Sequence, residues 1–236
     1  IKDYLKCVAA VDDSVGALLK FLDDQDLAKN TIVIYSSDQG FYLGEHGWYD
    51  KRWMFEESLQ MPFVIRWPGV LQPGTKSKAL IQNIDYGPTF LTAAGAEVPA
   101  EMQGRSLVPV LSDAGEAPSD WRDAIYYAYY ENASVHAVPI HDGIRSERYK
   151  LLFFPRGRQW QLFDLKEDPQ ELKSVHADPS YAQVLQGMKQ RYYELRKFYD
   201  ANWAAIPQTR GDESWWRERF RAKSAKAKQG NVDLAF

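Results

Sequence analysis

The feature that most limits how this chain can fold is a short run, Thr31-Ile32-Val33-Ile34-Tyr35, that stops abruptly at Ser36-Ser37-Asp38-Gln39-Gly40. The run is β-branched and aromatic with no polar alternation, so it reads as a strand buried on both faces. Before it, Leu5, Val8, Ala9, Val11, Val15, Leu18, Leu19 and Leu22 recur at helical spacing, which predicts a helix over residues 1–23 with one buried face. A helix leading into such a strand indicates an α/β sheet. In open α/β sheets ligands collect outside the carboxyl ends of the strands, which is where Asp38 and Gln39 stand.

The segment from Ser36 to Trp53 carries the chemistry. Asp38 and Gln39 both offer oxygen, and oxygen donors in loose geometry suit a hard divalent cation such as Ca2+. Glycines at 40, 44 and 47 permit tight turns that can fold His46 and Lys51 back toward the strand end. A cation with Lys51 and His46 beside it would make a positive centre for a tetrahedral oxyanion. The same residues also permit plainer readings. Asp and Gly after a strand serve as turn residues, and Lys51 between Asp50 and Arg52 could be an ordinary solvated charge.

The rest of the chain fills in the architecture. Phe63–Trp67 reads as a second strand closed by Pro68-Gly69, and Asp85–Ala94 as a helix with Asp85 as N-cap and Gly95 as its stop. Residues 112–119, rich in Ala, Gly, Pro and acidic groups, look like a linker. Beyond them Ala124–Tyr130, Gly143–Arg145, Tyr149–Phe154 and Gln161–Leu165 are close-spaced strand candidates, the pattern of an antiparallel sheet. A helix follows over 179–200, opened by Asp178-Pro179, and the tail holds a basic, aromatic helix over Ser214–Lys228. Three regions are therefore expected: 1–111, 112–200 and a helical tail, 201–236. A formal net charge of -3 gives no global pull toward nucleic acid, and no run of about 18 apolar residues predicts a membrane span. Cys7, the single cysteine, excludes an internal disulfide and reads as a small core residue. Asn132-Ala133-Ser134 fits a glycosylation acceptor.

Taken together, Ser37-Asp38-Gln39-Gly40-Phe41-Tyr42-Leu43-Gly44-Glu45-His46-Gly47, Lys51, and Glu56-Glu57-Ser58 before Met61-Pro62 resemble the C-terminal signature of type I sulfatases in the alkaline-phosphatase-like superfamily. The resemblance extends upstream to Val8–Gly16 and downstream to Gly143–Leu151 and Leu162–Glu171, covering residues 1 to about 200. It implies the C-terminal part of an alkaline-phosphatase-like sheet-and-helix core, followed by a small α+β subdomain with an antiparallel sheet and a long helix. It implies Asp38 and Gln39 as Ca2+ ligands, with Gln39 standing where Asn or His is frequent, and Lys51 as the group that holds a sulfate oxygen. His46 would line the same pocket, and the loop bearing His136, His141 and Arg145 could read a sugar. The layout is closer to sulfatases of glucosamine 6-sulfate and glycosaminoglycans than to small aryl-ester enzymes.

The resemblance also implies a formylglycine nucleophile, made within a Cys/Ser-x-Pro/Ala-x-Arg signature, and further acidic calcium ligands. That signature occurs nowhere in residues 1–236; Cys7 is followed by Val-Ala-Ala-Val. The partner this implies is an N-terminal half of the same protein, and the chain alone is expected to be inactive, with uncovered apolar surface and a possible tendency to self-associate. A periplasmic, secreted or lysosomal location is expected from the family. Two other readings stay open: a phosphodiesterase or phosphonate hydrolase of the same superfamily, and a non-catalytic subunit or interaction fragment.

Overall fold

The computed structural model describes residues 1–131, 136 and 138–201, so the Asn132-Ala133-Ser134 acceptor and the Ser214–Lys228 helix lie outside the described residues. The chain divides into two units, one formed by Ile1–Lys51 and Phe55–Ile125, the other by Arg52–Met54 and Tyr126–Phe236. No helix among the described residues is long and apolar enough to cross a membrane.

The first unit begins with helix α1, Lys2–Asp24, which has the apolar periodicity seen in the sequence yet buries no residue. Leu5 is 57% and Leu18 65% exposed, and Cys7 is exposed as well, against the expectation that it sits in a core. A helix with an apolar stripe gains most of its stability from packing that stripe, so α1 presents a surface that asks for a partner.

Strand β1, Val33–Ser36, differs from the fully buried strand expected. It pairs antiparallel with β2, Phe63–Arg66, in a two-stranded sheet with Ile34 opposite Ile65 and Tyr35 opposite Val64. The cross-strand pair Tyr35 and Val64 is exposed. Apolar residues in successive positions predict burial on both faces only when something covers both faces, and among the described residues nothing buries Tyr35 and Val64.

Between these strands lies the short helix α2, Glu56–Leu59, and beyond them come α3, Tyr86–Ala93, and α4, Val108–Ser112. Asp85 does not cap α3 through its side chain. Its carboxylate, fully buried, accepts from the main-chain N–H of Gln82 at 2.7 Å and of Arg105 at 2.8 Å, and it pairs with the Arg122 guanidinium through both oxygens. A charge so enclosed is tolerable because donors meet both oxygens.

The second unit is a four-stranded sheet in the order β3 (Ala124–Tyr129), β4 (His141–Ser146), β5 (Tyr149–Phe154), β6 (Gln159–Asp164). Antiparallel registers set Ile144 opposite Leu151 and Leu151 opposite Leu162, and all three are fully buried. Helix α5, Ala182–Phe198, lays Met188, Tyr192 and Leu195 into this core, behind a 3-10 turn at Pro179–Tyr181 capped by Asp178, which accepts from the Ser180 N–H at 2.9 Å. Gly143 is required at its place, since a Cβ there would come within 2.1 Å of the Leu151 carbonyl oxygen.

Candidate active site

The loop leaving β1 is shaped first by its backbone. Gly40 donates its N–H to the Ser58 carbonyl at 2.9 Å, and a Cβ at Gly40 would stand 2.0 Å from the Glu57 carbonyl oxygen. The loop therefore lies directly against α2, and only glycine fits. Further on, Gly44 (φ 132), His46 (φ 54) and Gly47 (φ 69) occupy left-handed conformations within four residues, reversing the chain. His46 does so without the freedom of glycine, a strain that tends to persist where the surroundings fix the residue. The reversal is tied by Tyr42, fully buried, whose N–H donates to the Asp50 carbonyl at 2.7 Å.

This folding brings two of the residues singled out in the sequence together. The Lys51 ammonium stands 3.4 Å from Asp38 Oδ2, with the two side chains 35% and 78% exposed. The ammonium holds the Asp38 carboxyl below the usual carboxylate range, so Asp38 is an anion at neutral pH with oxygens open to solvent. Gln39 is directed differently. Its carboxamide nitrogen donates to Ser58 Oγ at 2.6 Å, which leaves the carboxamide oxygen on the opposite edge of the planar group. His46 stacks on Phe55, with ring centroids 4.3 Å apart and planes 11° apart, and its Nε2 lies 3.4 Å from Glu57 Oε2. That carboxylate oxygen is buried and accepts no hydrogen bond from the described residues.

The donors at Asp38 and Gln39 are hard oxygens, which fit a calcium ion and not a soft or imidazole-seeking metal. They supply two of the six to eight oxygens calcium takes, and among the described residues no group of three His, Cys, Asp or Glu side chains is placed to hold a metal. The residues present thus fit part of a calcium shell.

His141 and Arg145, expected to face substrate, are placed in the second unit on β4. His141 is fully buried and both ring nitrogens serve the main chain: Nδ1 donates to the Pro139 carbonyl at 2.8 Å, and Nε2 accepts from the Met54 N–H at 3.2 Å. Burial lowers its pKa to about 4, so the ring is neutral and acts as a clamp on the Arg52–Met54 segment. The expectation that His141 reads a sugar is corrected here, because no polar atom of the ring is left for a ligand. Arg145 is half-buried, opposite Lys150 in the sheet register.

The residues that sequence reasoning passed over are Phe55, Glu57 and Ser58, which support His46 and Gln39. The run Glu56-Glu57-Ser58 was visible as part of a motif, but a support made across 9 to 19 positions leaves no periodic trace.

A sheet-and-helix unit whose strand-end loop presents oxygen donors beside a lysine fits the alkaline-phosphatase-like class of fold. The chain belongs to the sulfatases of that superfamily: residues 44–198 match the family described as N-sulphoglucosamine sulphohydrolase, C-terminal. It is 45% identical over 203 residues to an N-acetylglucosamine-6-O-sulfatase of Bacteroides thetaiotaomicron, covering 86% of this chain and 36% of that protein. A solved structure of a protein in complex with its substrate D-glucosamine-2-N,6-O-disulfate superposes with a TM-score of 0.83 at 44% identity, covering 88% of this chain and 42% of the other. The phosphonate monoester hydrolase of Agrobacterium radiobacter superposes with a TM-score of 0.71 at 30% identity, covering 80% and 40%. The chain thus spans well under half the length of these relatives.

Proposed function

We propose that the protein to which this chain belongs is a calcium-dependent sulfatase that removes sulfate from glucosamine-containing glycans. The observation that carries this reading is the approach of the Lys51 ammonium to the Asp38 carboxylate, with the oriented Gln39 carboxamide next to it. The names of the relatives, both built on sulfated glucosamine, support the substrate class.

In this reading Asp38 and Gln39 hold the cation through oxygen, and the bound cation supplies Lewis-acid stabilisation of the sulfuryl oxygens. Lys51 binds a sulfate oxygen and offsets the negative charge that builds on the leaving oxygen, a role for which a flexible ammonium is suited. His46, held by Phe55 and Glu57, lines the same pocket. The formylglycine hydrate expected as nucleophile has no source in residues 1–236, so this chain by itself does not turn over. The uncovered stripe of α1 and the exposed Tyr35–Val64 pair support an N-terminal part of the same protein as the partner that covers them.

The test is turnover by the full-length protein on N-acetylglucosamine 6-sulfate and on a phosphonate monoester, together with metal analysis. Calcium with preferred sulfate release is the expected result. Zinc or manganese with preferred phosphonate cleavage would establish the second reading, which the likeness to the phosphonate hydrolase keeps in play. No turnover of any ester would leave a non-catalytic role.

A further inference from the structure

We propose that Ser58 is the positioning residue that turns the Gln39 carboxamide oxygen toward a bound calcium ion. This rests on the calcium reading of the loop given above. Gln carries one more methylene than Asn and one more rotatable bond, so an unsupported Gln at a metal position can present nitrogen as readily as oxygen. Nitrogen of a carboxamide is a donor and does not ligate a cation. Ser58 removes that freedom.

Three observations converge on it. Ser58 is 1% exposed, and its Oγ takes the Gln39 nitrogen at 2.6 Å. Its carbonyl takes the N–H of Gly40 at 2.9 Å, so a single residue of α2 grips the loop by side chain and main chain on successive residues. The missing side chain of Gly40 is what allows α2 to come close enough for so short a hydroxyl to reach, since a Cβ would lie 2.0 Å from the Glu57 carbonyl oxygen and 2.8 Å from that of Gln60. Fixing the nitrogen of a planar carboxamide on Ser58 fixes its oxygen on the other edge of the group. Such outer partners of metal ligands commonly set affinity as strongly as some ligands do.

Calcium titration calorimetry on the full-length protein tests this. Ser58→Ala is expected to weaken calcium binding about tenfold. Gln39→Ala weakens it as well, and the double variant Ser58→Ala with Gln39→Ala binds no more weakly than Gln39→Ala alone, because the serine acts only through the glutamine. Ser58→Cys keeps the side-chain shape with a somewhat larger atom but offers a poor acceptor, and serves if the alanine variant does not fold; it too is expected to weaken binding. Wild-type affinity in a folded Ser58→Ala or Ser58→Cys protein overturns the proposal and leaves the calcium reading intact. An additive loss in the double variant also overturns it. A wild-type protein that binds no calcium overturns both.

Discussion

Two lysine–carboxylate pairs, one in each unit, show how differently the same chemistry is used. Lys150 and Glu171 in the second unit are 0% and 1% exposed and 2.8 Å apart. Lys51 and Asp38 in the first are 35% and 78% exposed and 3.4 Å apart. A buried pair is fixed, because separating it strands a charge in a poorly polarisable interior. An exposed pair contributes little to folding and is therefore free to exchange partners. The enclosed pair is architecture, and the open one keeps both its charges accessible to solvent.

The contrast can be tested first by breaking the enclosed pair. Lys150→Met leaves Glu171 buried without its partner and is expected to cost about 3–5 kcal/mol in chemical denaturation. Adding Glu171→Leu should recover most of that. Lys51→Ala should do the reverse, lowering kcat of the full-length protein by about 100- to 1,000-fold while moving folding stability by less than about 0.5 kcal/mol.

A smaller effect sharpens the comparison for His141. Folded His141 takes a proton only near pH 4, while the unfolded imidazole takes one near 6.5. Between those values the unfolded state holds more protons, so the contribution is whole above pH 6.5 and lost as pH falls toward 4. The loss should reach about 3 kcal/mol at most, and His141→Phe should flatten that part of the stability profile. Least of all, Asp38→Asn should leave the denaturation midpoint unchanged, since an exposed ion pair contributes little to folding.

The second unit was the more legible in sequence. Strands read at 124–130, 149–154 and 161–165 fall at 124–129, 149–154 and 159–164, because short turns and dense aromatic and leucine-rich runs are local signals. The 179–200 helix was announced by Asp178-Pro179 and is found as a 3-10 turn followed by α5. The first unit was legible in its elements but not in their surroundings. Residues 1–23 have the pattern of a buried face, yet α1 buries none of it, and Ile34 pairs antiparallel with Ile65 in a sheet of only two strands. Pattern records what a segment needs and is silent on what supplies it. The same limit applied at the site: Asp38, Gln39, His46 and Lys51 stand out by residue type and spacing, while the support given by Ser58 and Glu57, and the enclosure of His141, arise only from packing.

The central claim is that the loop after β1 holds a calcium ion through Asp38 and Gln39 next to Lys51. Calcium titration of the full-length protein and of its Asp38→Asn variant tests it most directly. Removing one anionic oxygen donor should weaken binding by at least about tenfold with the fold unchanged. Equal calcium affinity in the two proteins would contradict the account.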